Sequence, residues 1–380
     1  MAILALNAGS SSLKFALFEV AGGAARWRGK VDLAAALMQI AGSGGSVALA
    51  ARAPLDMATA ANEVFAAMDS AKLGAPDCVV HRVVHGGNRY SAPHWLDDAV
   101  VAELAALTAL APLHQPASLA AVGAARARFG QARHLACFDT AFHAHWPDAA
   151  RRLALPRRLH EQGVQRFGFH GLAHQSAANL LRREAPQARR AVVAHLGSGA
   201  SLCALADFES VDASMGYSAL DGLPMGTRCG AIDPGVVLHL LQGLGMTVIE
   251  VETLLYRESG LLGVSGISGD VRTLLASDTR EARQAIELFV YHVVRGIGGM
   301  AATLGGLDAL LFSGGIGEHA ALVRDAVCAR LAFLGIALDA DANHMHIAQI
   351  HARSSRVVVR IVGCDEEAVM ADAAAAALSA

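Results

Sequence analysis

Lysine is scarce in this chain, and basic charge overall is not in excess. The 380 residues hold three lysines, Lys14, Lys30 and Lys72, among 31 basic residues, and the net charge is -3. Nucleic-acid binding needs a basic surface, so this charge balance argues against nucleic acid as a partner. With so few lysines, Lys14, which lies in an apolar alternation near the start, is a candidate for a specific task.

Cysteine is sparse and scattered, and long uninterrupted apolar runs are lacking. The six cysteines form no C-x-x-C pair, which predicts reduced, buried thiols in a cytoplasm and excludes a disulfide framework. The Ala-rich stretch 100–125 is broken by polar residues and a proline, so we expect no membrane-spanning segment; the interrupting residues are Glu103, His114, Gln115 and Pro116. The first residues also lack the basic start of a secretory signal.

The common nucleotide-binding signatures are absent as well. No segment reads G-x-x-x-x-G-K-[ST], which excludes a P-loop. The segment RGIGGMAATLGG (295–306) has dinucleotide-like glycine spacing, but it falls within a helical pattern rather than after a strand. Helix packing through small residues explains it better.

Short apolar runs alternate with longer helical patterns along the whole chain, which predicts an α/β protein. The length is comfortable for two domains, each with its own core. A strand, a Gly/Ser turn and a second strand occur at 2–20, and the same plan recurs at 191–207. This repeat indicates a duplicated α/β unit with a cleft for a phosphate-bearing ligand, although any two Gly/Ser hairpins look alike.

The first of these turns has the composition of a phosphate-binding site. Backbone N–H groups of a small-residue turn can converge on phosphate oxygens, serine hydroxyls add donors, and a lysine adds a positive charge. This is the functional interpretation of Asn7, Gly9, Ser10, Ser12 and Lys14. The alternative is an ordinary β-hairpin with turn-favouring residues.

Two arginines lie in glycine-rich turns, Arg82 in HRVVHGG and Arg228 in PMGTRCGAIDPG. Arginine suits bidentate binding of carboxylate and phosphoryl oxygens, although a lone arginine is more often part of a structural ion pair. Asp139 closes a predicted strand, where ligands of α/β sheets bind and where a carboxylate can hold Mg²⁺. Glu366 opens the last helix, where acidic residues are common anyway. Among 17 histidines, His170 in RFGFHGL is the candidate catalytic one.

Ten motifs in one order extend over nearly the whole chain. They are LNAGSSSLKF (6–15), HRVVHGG (81–87), APLHQPAS (111–118), FDTAFH (138–143), RFGFHGLAH (166–174), HLGSGAS (195–201), LPMGTRCGAIDPG (223–235), GVSGISGDVR (263–272), FSGGIGEH (312–319) and CDEE (364–367). Together they resemble the acetate kinase family, also called the acetate/propionate kinase or acetokinase family.

The resemblance implies the duplicated two-domain α/β fold of actin-like, Hsp70-like and sugar-kinase ATPases, with a central interdomain cleft. It implies an N-terminal domain of residues 1–142 completed by the C-terminal helix 367–380, and a nucleotide-binding and dimerisation domain of residues 143–366. The implied reaction is ATP + acetate to ADP + acetyl phosphate, reversible, by direct in-line phosphoryl transfer. The implied cofactor is Mg²⁺ or Mn²⁺, with ATP as co-substrate, in a cytoplasmic homodimer.

The resemblance also implies roles, residue by residue. The catalytic set is Asn7, Arg82, Asp139, His170 and Arg228, and the transition-state stabilisers are His114, His170 and Arg228. The acyl-binding set is Arg82, Val84, Leu113, Phe169 and Ala219. The metal-binding set is Asn7, Asp139 and Glu366. The ATP-binding set is Ser10, Ser12, Lys14, His195, Gly197, Ser198, Gly199, Asp270, Val271, Arg272, Gly314, Gly315, Ile316 and Gly317.

The sequence departs from the family pattern near these residues. Ser198 and His319 stand where the family usually has Asn, and Ala219 stands where it often has Pro. A smaller residue at 219 leaves room for a longer acyl chain, so propionate or butyrate is an alternative substrate. A sugar kinase, a phosphatase-like hydrolase and a non-catalytic ATP switch are the competing interpretations.

Overall fold

The computed structural model describes residues 1–9, 11–19, 23–41, 45–49, 54–112 and 114–380. Within them the chain divides into two compact units. The first unit comprises residues 1–144, 170–172 and 365–380, and the second comprises residues 145–169 and 173–364.

Strands and helices alternate along the chain. The strands are β1 Ile3–Ala8, β2 Ser12–Phe18, β3 Trp27–Asp32, β4 Leu37–Ile40, β5 Gly45–Ala48, β6 Cys78–Val83, β7 His94–Trp95, β8 Arg133–Phe138, β9 Arg190–Leu196, β10 Ala200–Ala206, β11 Glu209–Ala213, β12 Ala309–Ser313 and β13 Val358–Ile361.

The helices are more numerous, and α11 is the longest of those in the described residues. They are α1 Met57–Ser70, α2 Asp98–Ala106, α3 Gln115–Arg128, α4 Asp148–Arg151, α5 Arg157–Glu161, α6 Gly171–Glu184, α7 Pro234–Leu238, α8 Val248–Thr253, α9 Gly260–Ser265, α10 Val271–Leu275, α11 Arg280–Thr303, α12 Gly314–His319, α13 Ala321–Arg330, α14 Ala340–His344 and α15 Glu366–Ser379. Three 3₁₀ segments (Leu107–Leu110, Ala141–His143 and Ala332–Leu334) and two π-helical segments (His239–Gly243 and Leu254–Glu258) complete the set.

Both units are built on one strand plan. In the first sheet the order is β5-β4-β3-β2-β1-β6-β8-β7, and in the second it is β11-β10-β9-β12-β13. The stretches β3-β2-β1-β6-β8 and β11-β10-β9-β12-β13 match strand for strand. In each, an antiparallel hairpin extends to a third antiparallel strand on one side and two parallel strands on the other. The predicted duplicated α/β fold is confirmed.

The first sheet has both faces covered, which is why β1 is apolar at nearly every position. One face, including Leu4, Leu6 and Phe15, packs against Phe65 of α1 and against Phe129, which directly follows α3. The opposite face packs against the small apolar side chains of α15. The C-terminal helix therefore belongs to the core of the first unit, and its first turn lies beside β1.

Helix α11 is the one helix among the described residues that is, by length and composition alone, apolar enough to cross a membrane. This match does not contradict the expectation that the chain has no membrane-spanning segment. Core helices pass the same test, and α11 packs on β9 and β10 through a buried face that includes Phe289, Val293 and Ile297. On its other side Glu287 pairs with Arg330 at 2.7 Å. The helix is long and apolar because it covers the second sheet.

Candidate active site

Arg82 and Asp139 form a buried ion pair at the carboxyl ends of two neighbouring parallel strands, β6 and β8. Arg82 Nε donates to Asp139 Oδ1 and Oδ2 at 3.0 and 3.1 Å, and Arg82 Nη2 donates to Oδ2 at 2.6 Å. Only 15% of the Arg82 side chain and 2% of the Asp139 side chain are exposed. The parallel register places both residues at the sheet edge where α/β proteins bind ligands.

Burial governs the charges of this pair. It raises the pKa of the Asp139 carboxyl above its ordinary value, and the adjacent Arg82 charge opposes that rise. Burial also lowers the pKa of the Arg82 guanidinium, but the charges of Asp139 and Glu366 outweigh it, so the net pKa is raised. Arg82 is therefore a permanent cation.

Asn7, at the end of β1, links this pair to the first turn of α15. Its Oδ1 accepts from Arg82 Nη1 at 3.1 Å, and its Nδ2 donates to Glu366 Oε2 at 2.8 Å and to Glu367 Oε1 at 2.6 Å. Glu366 also lies 3.7 Å from Arg82. Glu366 was a predicted site residue and Glu367 was not, although both stand in the CDEE motif.

Negative charge is concentrated in this cluster. Burial raises the pKa of the Glu367 carboxyl, the neighbouring Glu366 charge raises it further, and Lys14 opposes both effects. Three buried carboxylates thus share one arginine and the nearby lysine. A cation brought into the cluster would relieve this repulsion.

Lys14 and Ser12 lie on β2, across the hairpin from Asn7. The register places Lys14 directly opposite Asn7, and Gly9 N–H donates to Ser12 O at 2.9 Å across the turn. Directly opposed residues of an antiparallel pair share a face. Ser10 lies outside the described residues.

His170 belongs to the first unit, and the next residue, Gly171, is hydrogen-bonded to the backbone of Asp139. Gly171 N–H donates to Asp139 O at 3.0 Å, and a Cβ at position 171 would lie 2.1 Å from that oxygen. His170 itself adopts a left-handed backbone with φ +57°. Such a conformation costs about 1–3 kcal/mol in a residue other than glycine and clusters at functional sites.

Val84 and His114 also lie in the first unit. Val84 follows β6 directly and is 4% exposed. His114 precedes α3, whose first residue, Gln115, accepts a hydrogen bond from His85 N–H at 3.1 Å and so attaches the start of α3 to the loop after β6. Leu113 lies outside the described residues.

Arg228 lies in the second unit, and its hydrogen-bond partner differs from those of Arg82. Its Nη1 donates to the carbonyl oxygen of Ala219 at 2.6 Å. Among the ion pairs formed by the described residues, none includes Arg228. Burial lowers its pKa from the ordinary arginine value, which reflects the cost of keeping this cation away from water.

The small-residue turns of the second unit lie together. A Cβ at Gly197, in the β9–β10 turn, would lie 3.9 Å from the backbone nitrogen of Gly315, and Gly226 N–H donates to Ser198 O at 3.2 Å. Gly314 has φ +75° and passes so close to Leu196 O that a Cβ there would lie 2.6 Å away. Close-packed glycine turns of this kind present backbone N–H groups to anions.

The remaining predicted ATP-binding residues of the second unit fall into three places. His195 Nδ1 and Ser313 Oγ are 3.1 Å apart beside the turn that continues into α12, which contains Gly315, Ile316 and Gly317. Asp270 and Arg272 pair with each other, Arg272 Nη2 donating to Asp270 Oδ2 at 2.5 Å, and this hydrogen bonding lowers the pKa of Asp270. Their segment reaches the glycine turns through Gly269, whose carbonyl oxygen would lie 3.1 Å from a Cβ at Gly226.

The predicted residues therefore form two groups. The group in the first unit is Asn7, Ser12, Lys14, Arg82, Val84, His114, Asp139, His170 and Glu366. The group in the second unit is Phe169, His195, Gly197, Ser198, Gly199, Ala219, Arg228, Asp270, Val271, Arg272, Gly314, Gly315, Ile316 and Gly317. Phe169 and Ala219 are both buried in the second unit.

Comparison with known proteins identifies the family. The family model described as "Acetokinase family" matches residues 2–372. Acetate kinases of Rhodopseudomonas palustris (strain TIE-1) and Methylocella silvestris are each 46% identical to this chain, over 97% of it and 96% of their own length.

Solved structures agree. The chain is similar to an acetate kinase of Porphyromonas gingivalis, with a TM-score of 0.87, 32% identity and full coverage of both chains. It is also similar to a propionate kinase of Francisella tularensis, with a TM-score of 0.90, 32% identity and 98% coverage of each chain. On these matches and on the fold described above, the chain belongs to the acetokinase family.

Proposed function

We propose that this chain transfers the γ-phosphoryl group of ATP to the carboxylate of acetate, giving ADP and acetyl phosphate, and that the reaction runs in both directions. The phosphoryl acceptor is a short-chain carboxylate, and the transfer is direct and in line. A carboxylate is ionised near neutral pH, so the reaction needs no strong general base. Fixed donors around the transferring group supply the rate instead.

The observation that carries this proposal is the state of Arg228. It is a partly buried guanidinium that donates to the Ala219 carbonyl and has no carboxylate partner among the described residues. A cation held this way is stabilised when an anionic ligand arrives. Its planar fork suits phosphoryl oxygens, and we assign it to the transferring group together with His170 and His114.

Arg82 has the complementary task. Asp139 and Asn7 accept hydrogen bonds from its Nε, Nη1 and Nη2, so the planar guanidinium is oriented before substrate binds. We assign Arg82 to the carboxylate of the acyl substrate, with Asp139 as the residue that keeps it in place. Val84, Phe169 and Ala219, together with Leu113, form the apolar wall around the acyl chain in this proposal.

The remaining predicted residues are proposed to bind the nucleotide. We assign Ser10, Ser12 and Lys14 to the phosphate groups, and we assign the backbone N–H groups of 197–199 and 314–317 in the second unit to the same ligand. His195, Asp270, Val271 and Arg272 complete the proposed ATP set. Departures at Ser198 and His319 change the donors beside these turns, and thus the preference among phosphate donors.

The carboxylate cluster fits a divalent cation. No group of three or more His, Cys, Asp or Glu side chains among the described residues is arranged to hold a metal by itself. Mg²⁺ usually needs one or two carboxylates, with water and substrate phosphates completing its shell. Asn7, Asp139 and Glu366 are the residues that would hold Mg²⁺ or Mn²⁺, which would neutralise phosphate charge. Burial and the Glu366 charge raise the pKa of both Asp139 and Glu367, and this concentration of negative charge supports the assignment.

Propionate and butyrate are alternatives to acetate as the preferred carboxylate substrate. Ala219 is buried and has a small side chain, and from that small size we infer space for an added methylene in the acyl pocket. Burying one methylene stabilises by about 0.8 kcal/mol. The similarity to a propionate kinase supports propionate, or butyrate, as the alternative acceptor.

Exposed apolar side chains of the second unit and the free thiols support our proposals for assembly and location. Large apolar side chains are exposed in the segment 232–249, among them Leu244, Val248 and Ile249, at 63%, 71% and 76%. A patch of this kind is typical of a subunit interface, and we assign it to a homodimer. None of the six cysteines, all of which are described, forms a disulfide, which together with the use of ATP supports the cytoplasm.

The test is a hydroxylamine-trapping assay with ATP and Mg²⁺ over formate, acetate, propionate and butyrate. Hydroxylamine converts an acyl phosphate to a hydroxamate, so a signal reports the product itself. We expect a signal with acetate, and with propionate if Ala219 enlarges the pocket. Absence of hydroxamate with every acid, in protein that binds ATP, would overturn the proposal and favour a non-catalytic ATP switch.

A further inference from the structure

Gln115 is a buried residue that the site assignments leave out. It is the first residue of α3, follows His114 directly, and has no exposed surface. Its Oε1 accepts from His85 N–H at 3.1 Å, and its Nε2 donates to His85 O at 3.2 Å and to Leu104 O at 3.0 Å. One carboxamide thus satisfies both backbone groups of His85 and one carbonyl of α2.

Few side chains can replace this carboxamide. A carboxylate can accept from His85 N–H but has no donor for the two carbonyl oxygens, and an apolar side chain can do neither. Buried backbone groups that lose their partner carry the full desolvation penalty. The geometry at His85 therefore depends on the amide of Gln115.

The loop after β6 is also hydrogen-bonded to the residue that follows Asp139. Gly86 N–H donates to Thr140 Oγ1 at 3.1 Å, and Thr140 follows Asp139 in the chain. Gly87 N–H donates to His85 Nδ1 at 2.8 Å. This bond places the imidazole proton on Nε2, and burial lowers the pKa of His85 to about 4, so the ring is neutral near pH 7.

We propose that Gln115 is a positioning residue for the carboxylate substrate. It fixes His85 and so sets the position of Val84, the adjacent acyl-pocket residue, relative to Arg82 two residues earlier on β6. The inference rests on the proposed function, because it assigns a task within the carboxylate site. Gln115 also follows His114, so one side chain sets both the loop after β6 and the start of α3.

The experiment compares Gln115→Met, Gln115→Glu and Gln115→Asn with Ser118→Ala. Ser118 is a matched control, since it is fully buried on the same helix and its hydroxyl has no hydrogen-bond partner within the described part of the chain. Wild-type enzyme is measured alongside, with ATP and acetate or propionate varied separately. Melting temperatures identify any variant that fails to fold.

We expect Gln115→Met and Gln115→Glu to raise KM for the carboxylate by about tenfold or more, with KM for ATP and kcat changing much less. Gln115→Asn keeps the amide one methylene shorter and should recover part of the loss. Ser118→Ala should match wild type in both KM values.

Two other results would overturn the inference. A purely structural role would lower the melting temperature and the active fraction of Gln115→Met while leaving KM for the carboxylate as in wild type. Equal rises in KM for ATP and carboxylate would show a general disturbance. Failure of the proposed function itself is distinguishable, because wild-type protein would then give no hydroxamate.

Discussion

The Arg82 guanidinium is bound along one edge by Asp139, with three N–H···O hydrogen bonds of 2.6 to 3.1 Å, and this contact joins two parallel strands at their carboxyl ends. The pair is almost entirely removed from water. Arg82 Nη1 also donates to Asn7 Oδ1, a contact that an ion pair with Asp139 alone would not require. The arrangement orients Arg82 in a single direction.

Replacing Arg82 by Lys tests that orientation. Lysine keeps the positive charge but loses the planar fork, so we expect kcat/KM for acetate to fall by roughly a hundredfold or more. Steady-state kinetics of the hydroxamate reaction measure the change. Arg89→Ala is the control, because Arg89 is 72% exposed and pairs with Glu103 at the surface. Near-normal activity of Arg82→Lys would remove the assigned role.

Replacing Arg228 should affect activity differently from replacing Arg257, an exposed arginine on a nearby segment. Arg228→Ala removes a cation that has no carboxylate partner among the described residues, so stability should be unchanged or slightly higher while kcat falls by orders of magnitude. Arg257→Ala is the matched control on the nearby π-helical segment. Thermal melting and kcat are measured on the same preparations. Parallel losses of stability and activity would mean that Arg228 has a structural task.

Gly171 is the position where a single methyl group should disturb the site. Its Cβ would lie 2.1 Å from Asp139 O, so Gly171→Ala must displace either Asp139 or His170. We expect lower stability and a large loss of kcat. Gly123→Ala, within α3 where a Cβ meets nothing within 4 Å, should instead stabilise by about 0.5–1 kcal/mol. Urea unfolding and kcat distinguish the two variants, and equal behaviour would contradict the close contact at Asp139.

Three buried histidines predict acid sensitivity. His81 Nε2 lies 3.1 Å from His134 Nδ1, and burial lowers the pKa of both rings, as it lowers that of His85 to about 4. An unfolded histidine titrates near pH 6.5, so below that pH the unfolded chain binds more protons than the folded chain. Above about pH 6.5 these histidines should not lower the free energy of unfolding. Below that pH the free energy of unfolding should fall by up to ~1.4 kcal/mol per pH unit for each such histidine.

Urea unfolding at pH 7.5, 6.5 and 5.5 measures this dependence. The variant His81→Gln/His134→Gln should have a shallower loss of stability on acidification than wild type, whatever its stability at pH 7.5. His344→Gln, at an exposed position, is the control and should keep the wild-type slope. A double variant with the wild-type slope would mean that this pair does not carry the acid sensitivity.

Much of the fold could be predicted because the signals are local. The apolar runs at 2–6 and 13–20 with a small-residue turn between them became β1 and β2, and the pattern at 189–207 became β9 and β10. The family assignment confirms the predicted class of enzyme, a phosphotransferase with a carboxyl group as acceptor. The roles of single residues and the predicted domain boundaries stay predictions.

Other features were out of reach because they depend on partners far away in the chain. Glu367 looked like a second acidic residue of a helix start, and it lies against Asn7 because α15 packs on β1. Gln115 looked like a polar residue beside a proline, and it is buried because the loop after β6 returns to α3. The length of α11 was missed as well, since its scattered charged residues hid an apolar face that covers the second sheet.

The sequence by itself determined the α/β class, the repeated strand-turn-strand plan and the chemical types at the site, because periodicity and small-residue turns are properties of short segments. The tertiary structure alone decided which charges meet. Asn7, Arg82, Asp139 and Glu366 come from four separate segments, and only the parallel pairing of β1, β6 and β8, with α15 packed across them, places them within hydrogen-bonding distance. Burial and neighbouring charges at that junction then shift the pKa values of Arg82 and Asp139, because a pKa depends on exclusion of water and on nearby charges as well as on residue type.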